Sequence, residues 1–244
     1  TANIAGRILA KDIAGSRISY PGVLGTGVAK LPGGLNVGRT GLTETAAKAE
    51  GMDIVSAVSV VDDKAHYYPG AGSFLVKLVA EKASHKLLGI QVLGTGAVDK
   101  MTDIAVTAIS LGASVEQLAS MDFAYAPPFS TAIHPIAHAV NILLNKMNGE
   151  MDSFSPTQYQ EGEAEGYRIV DCAMQPSLPN HPYLDLVKIK GEQEGYKKDE
   201  KLLLVCTKGK RAYLTQNRLK HYGYTNTKVL EGGTTFNTSI MDEE

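Results

Sequence analysis

This 244-residue sequence predicts an α+β domain with an antiparallel sheet and helices on one side, followed by a small α/β domain with a parallel sheet. Three observations lead there. Residues 73–94, "SFLVKLVAEKASHKLLGIQVLG", alternate apolar and polar side chains as two strands joined by a polar turn near 83–86. Residues 97–112 and 135–149 place apolar side chains at helical spacing. Beyond residue 167, short apolar runs alternate with a helical segment, the order that builds a parallel sheet.

Taken in order, "TANIAGRILAKDIAG" reads as an amphipathic helix rather than a signal peptide, and it starts without methionine, as a cut-out piece would. "TGLTETAAKAEG" is a short helix with Thr43 as cap and Gly51 as stop. "DIVSAVSVVD" is a strand. After the hairpin, "AVDKMTDIAVTAISLG" and "PIAHAVNILLNKMNG" are helices, and Ile136, Val140, Leu143 and Met147 share one face of the second. Near residue 150 the chain turns polar, with Gly and Pro punctuation, in "NKMNGEMDSFSPTQYQEGEAEG". The domains are therefore placed at 17–150 and 151–244, with 1–16 apart from both. In the second, "YRIVDC", "YLDLVKIK", "LLLVC" and "TKVLEGG" read as strands and "RAYLTQNRLKHYG" as a helix.

Mixed charges summing to −2 offer no broad basic face for nucleic acid. Two cysteines make no disulfide framework and favour a reducing, cytoplasmic setting. No apolar run reaches the roughly 20 residues that cross a bilayer.

The chemistry concentrates at "LLLVCTKGKRAYLT". Cys206 ends a strand, and Thr207, Lys208, Gly209, Lys210 and Arg211 curl into a helix start. Inward-pointing amides, the positive end of the helix and three cationic side chains each favour thiolate over thiol, the two lysines being able to point to solvent instead. Ligands also gather at the carboxyl edge of parallel sheets. A structural cysteine before a basic loop is the plainer alternative. Cys172 reads as a hydrophobe filling the core.

Elsewhere the signals are weaker. "VLGTGAVDK" fails as a dinucleotide loop because Asp99 stands where the third glycine belongs. His134 and His138 have the spacing of a zinc pair, but Pro135 pushes His134 out of the helical region, no third ligand is evident, and no metal is expected. Tyr67, Tyr68 and Tyr125 lie in Pro- and Gly-bracketed loops, where a phenol can hydrogen-bond a developing thiolate; aromatic plugs at a subunit interface are the equal alternative.

Residues 202–233 resemble the active-site half of a rhodanese domain: a strand ending in Cys, a loop ending in Arg, a helix closing at Gly, then a strand and "EGG". "IVDC" resembles the earlier rhodanese strand that carries an Asp. The resemblance implies that Cys206 holds sulfane sulfur as a persulfide in a cradle formed by 207–211, and that Cys172, on the neighbouring strand, lies near enough to resolve it as a disulfide. Asp171-Cys172-Ala173 stands where rhodaneses usually have Asp-x-Arg, which implies a specialised domain.

"GRTGLTE", "YYPGAG", "GAVDK" and "YAPPFSTA", in that order, resemble the dimerisation domain of FAD-dependent pyridine nucleotide–disulfide oxidoreductases, in the branch of coenzyme A-disulfide reductases, NADH oxidases and persulfide reductases. The resemblance implies a homodimer formed through 17–150, with Tyr67 (Tyr68 in reserve) and Tyr125 reaching the partner's redox cysteine. It places His134 near a His-Pro acid–base pair, and makes 1–16 the last helix of an FAD domain. FAD and NAD(P)H would be held by segments upstream and not by this chain alone, with coenzyme A as a candidate ligand and a small sulfur compound as substrate. The alternative is a non-catalytic dimerisation platform with an inactive rhodanese-like binding domain.

Overall fold

Two sheets organise the computed structural model, which describes residues 1–241. The first is antiparallel. Its strands are β1 (Gly27–Lys30), β2 (Asn36–Gly41), β3 (Ile54–Asp62), β4 (Ser73–Glu81) and β5 (Leu87–Gly94), in the spatial order β1-β2-β5-β4-β3. The β4–β5 hairpin falls where the alternation and polar turn place it, and His85 takes a positive φ of 57° in that turn. Helices α1 (Ala2–Ile13) and α2 (Glu44–Ala49) flank β1 and β2 in the chain. Thr43 caps α2 by accepting a hydrogen bond from the Ala46 amide, and Gly51 follows at φ 73°.

One face of this sheet is covered by α3 (Val98–Ser110), α4 (Val115–Ala119) and α5 (Pro135–Met147). Phe74, Val76, Leu78 and Ala80 alternate along β4 and meet Met101 and Ala105 from α3 and Ile136, Val140 and Leu143 from α5 in one core. Met147 packs against the same core, partly buried. α1 buries none of its residues, and Ile4, Leu9 and Ile13 are all exposed.

The second sheet is parallel throughout, in the order β6-β9-β8-β7. It comprises β6 (Ser153–Phe154), β7 (Arg168–Asp171), β8 (Leu202–Val205) and β9 (Thr227–Leu230), with α6 (Pro156–Gln160), α7 (Lys210–His221) and α8 (Gly233–Phe236). Leu202 to Val205 are fully buried because β8 is central and covered on both faces.

"YLDLVKIK" departs from expectation. Only Tyr183 bridges to Asp171, and a 3-10 turn then spans Leu186–Lys188. The Asp185 side chain accepts from the Val187 amide at 3.1 Å, so a local side-chain bond replaces the strand ladder.

Candidate active site at the domain junction

Cys206 stands just past β8, 3% exposed, and its Sγ accepts a hydrogen bond from the Ala212 amide at 3.4 Å. Gly209 at φ 90° is the N-cap of α7, so the chain reverses over three residues and delivers the helix's first turn to the sulfur.

The carbonyls of the loop face the other way. Thr234 N donates to Cys206 O at 3.0 Å, and Thr235 N donates to Thr207 O at 3.0 Å. In a trans peptide the next amide points opposite its carbonyl. The Thr207 and Lys208 amides therefore lie on the side of the loop turned away from α8. This contact is close. A Cβ on Gly233 would stand 2.0 Å from Cys206 O and 2.7 Å from the Thr207 carbonyl carbon. Gly232 and Gly233 both have positive φ, 76° and 54°. The glycines of "EGG" thus mould the cysteine loop.

The cations do not all converge on the sulfur. Lys208 reaches across to the first domain, pairing with Asp62 and donating to Ser73 Oγ at 3.0 Å. Arg211 Nε donates to Cys172 O at 3.1 Å, and its Nη2 pairs with Asp185 at 3.2 Å. Lys210 is exposed. Neighbouring carboxylates take up two of the three charges and the exposed Lys210 follows the solvent-facing alternative.

Cys172 and Cys206 follow the paired residues Asp171 and Val205 on adjacent parallel strands, share one core cluster and are both free thiols. Cys172 is fully buried, and burial pushes its thiol well up. Asp171, also fully buried, accepts from the Ala173 amide at 2.8 Å and the Leu178 amide at 3.0 Å, shaping the loop beyond β7.

A cavity of about 220 Å³ lies between the domains, lined by Val58–Asp62, His138, Asn145, Tyr213 and Lys208–Lys210 among others. At its wall Glu231, 2% exposed, binds both domains. It accepts from the Val58 amide at 2.8 Å, Lys146 Nζ at 2.6 Å and Ser153 Oγ at 2.7 Å. β3 is an edge strand, and this carboxylate meets its outward amide.

Tyr67 and Tyr125 are exposed, Tyr68 is half-buried, and none lies in a helix or strand. Their segments meet at a smaller cavity of about 140 Å³, where Asp63 and Lys64 face Pro128, Phe129 and His134. His134 is buried at the start of α5, stacked on Phe123, and its Nδ1 accepts from the Ile136 amide at 3.3 Å. Burial, with Lys100 nearby, lowers its pKa from 6.5 to about 4. An unfolded chain then binds the proton first. Stability from neutral His134 is complete above about pH 6.5 and falls as pH drops toward 4. His134→Asn keeps a capping side chain that does not titrate. Its urea midpoint is expected to vary less than the wild type's across that window; equal pH dependence would contradict the assignment.

The glycines of "VLGTGAVDK" serve packing. A Cβ on Gly94 would meet Ser73 O at 2.6 Å, and one on Gly96 would meet the Phe74 ring at 2.9 Å. No group of His, Cys, Asp and Glu able to hold a metal ion occurs among the described residues, and no described helix is long and apolar enough to cross a membrane.

An antiparallel sheet with helices on one face, joined to a parallel sheet that ends in a cysteine loop, defines the class. The chain carries a pyridine nucleotide-disulphide oxidoreductase dimerisation domain, matched over residues 33–137, and a rhodanese-like domain, matched over 128–235. Among curated proteins it is 36% identical over 141 residues to an NAD(P)H sulfur oxidoreductase (CoA-dependent) of Pyrococcus furiosus. That match takes in 58% of this chain and 31% of the relative. It is 31% identical over 131 residues to a coenzyme A disulfide reductase of Staphylococcus epidermidis, covering 52% of this chain and 28% of the relative.

Among solved structures, an NAD-dependent persulfide reductase from A. fulgidus superposes with a TM-score of 0.86 at 32% identity, over 96% of this chain and 43% of that one. Reduced Bacillus anthracis CoADR-RHD gives 0.88 at 30% identity, over 99% and 44%. The chain thus spans less than half the length of the relatives it matches. By name these relatives are a sulfur oxidoreductase, a coenzyme A disulfide reductase and a persulfide reductase.

Proposed function

We propose that the chain, with domains at 17–150 and 151–244 and 1–16 as the end of a preceding domain, is the C-terminal part of an FAD- and NAD(P)H-dependent reductase. Its substrate would be coenzyme A disulfide, persulfide or polysulfide, and its compartment the cytoplasm. Cys206 carries sulfane sulfur. The carrying observation is the loop itself: Sγ sits at the first turn of α7, and the carbonyls of 206 and 207 are drawn off to α8.

Loading is an exchange in which the Cys206 thiolate attacks the outer sulfur of a persulfide R–S–SH. The S–S bond breaks, Cys206–S–SH forms and R–S⁻ leaves, so atoms and charge balance. The amides of Thr207, Lys208 and Gly209 and those at Lys210 and Arg211 then surround the outer sulfur as hydrogen-bond donors. Cys172, held protonated by burial, packs beneath the pair as a neighbour rather than a nucleophile. FAD and NAD(P)H, bound outside the described residues, supply the reducing electrons in the whole enzyme.

The 17–150 domain pairs with a second copy. There Tyr67 and Tyr125, with Tyr68 beside them, donate hydrogen bonds to a sulfur leaving in the partner's site. His134 supports that segment as the cap of α5.

A cyanide-dependent sulfurtransferase assay with a persulfide donor tests the reading. Wild type is expected to turn over, and Cys206→Ser to lose at least ~100-fold, the scale on which removal of a nucleophile acts. Equal rates would remove Cys206 from the mechanism.

A further inference from the structure

The loop that carries Cys206 holds three cationic side chains, yet two are already neutralised. Lys208 is bound by Asp62 and Ser73, which are paired across β3 and β4. Ser73 Oγ in turn donates to Asp62 at 3.2 Å, so the acceptor is fixed to a sheet rather than to a mobile side chain. Arg211 is bound by Asp185. Lys210 makes no ion pair among the described residues. Glu231 pairs with Lys146, while the buried Asp171 beyond β7 is held by backbone amides and pairs with no cation among the described residues. Three cations against Asp62, Asp185 and the buried Asp171 leave the loop without net charge.

That balance bears on which sulfur donor the loop accepts. Thiosulfate brings two negative charges, and transfer from it releases sulfite: Cys206–S⁻ plus S–SO₃²⁻ gives Cys206–S–S⁻ plus SO₃²⁻, with atoms and charge conserved. An alkyl persulfide brings at most one charge at its reacting end. We propose that Asp62, on the dimerisation domain, sets the donor specificity of Cys206. By holding the Lys208 ammonium away from the loop it disfavours dianionic thiosulfate and leaves the site to neutral or singly charged persulfides. The inference rests on Cys206 as the sulfur acceptor. It assigns to the first domain a part in choosing the substrate of the second.

The test compares two donors on the 244-residue chain: thiosulfate, a dianion, and 2-hydroxyethyl persulfide, which carries at most one negative charge. Formation of the Cys206 persulfide is followed by mass spectrometry. Asp62 is half-exposed, so Asp62→Asn is expected to fold, with near-UV circular dichroism as the check. The thiosulfate-to-persulfide rate ratio is expected to rise about tenfold in Asp62→Asn, as one freed charge acts on the donor's extra charge through a partly aqueous site. The rise should shrink with added salt. Asp62→Asn combined with Lys208→Gln should return the ratio to the wild-type value. A ratio unchanged by Asp62→Asn, or a rise that survives loss of Lys208, overturns the inference while leaving Cys206 as acceptor. Failure of 2-hydroxyethyl persulfide to load wild-type Cys206 overturns the proposed function and this inference with it.

Discussion

Gly233→Ala is expected to cost about 3 kcal/mol or more and to cut sulfur loading of Cys206 at least ~10-fold, a backbone effect at a special position. The reason is geometric. The added methyl would fall 2.0 Å from Cys206 O and 2.7 Å from Thr207 O, both backbone atoms that cannot rotate away. The residue also sits at φ 54°, which a side chain disfavours. Relief requires α8 to withdraw, breaking the Thr234 and Thr235 amide bonds that hold the loop carbonyls. The cradle then loses its orientation while the thiol remains present. Gly191→Ala is the control, because nothing lies within 4 Å of the Cβ it would add. It should stay within about 0.5 kcal/mol of wild type. Urea denaturation and the loading rate check both; a silent Gly233→Ala would show that the loop is shaped by something else.

Glu231→Ala is the second large effect, expected at about 3–5 kcal/mol, the range for removing one partner of a buried charge pair. Three donors lose their acceptor together: the Val58 amide, Lys146 and Ser153. Because Val58 and Lys146 belong to the first domain and Ser153 to the second, the substitution also unfastens the junction. Calorimetry is expected to show the wild type's joint transition separating into two in the variant. Glu231→Gln combined with Lys146→Met removes both charges and should recover part of the loss. If Glu231→Ala unfolds as the wild type does, Glu231 is no clasp.

How much of this was legible in the sequence follows from the range of the forces involved. The β4–β5 hairpin, α3, α5 and α7 were readable because alternation and helical spacing are local records of one buried face. The Thr43 cap is local too. β1 and β2 were missed: β1 is exposed along its whole length, and β2, rich in glycine, carries little hydrophobic pattern to read. "YLDLVKIK" misled because its alternation mimics a strand while Asp185 closes a turn within it.

The cysteine and its loop could be singled out from "LLLVCTKGKR" alone, but the fate of the charges could not. Lys208 meets Asp62 across 146 residues of chain, and Glu231 meets Val58 across 173. Nothing in a sequence window records such pairs. Gly233 left a trace in "EGG", yet only the approach of the Cys206 carbonyl shows why both glycines are needed.

The most direct measurement concerns the sulfur itself. The chain is treated with an alkyl persulfide, exchanged out of donor, digested, and the peptides holding Cys172 and Cys206 are weighed. One added sulfur on the Cys206 peptide, absent in Cys206→Ser and removed by cyanide, is the predicted result. An unmodified Cys206, or the added sulfur found on Cys172 instead, would contradict the account.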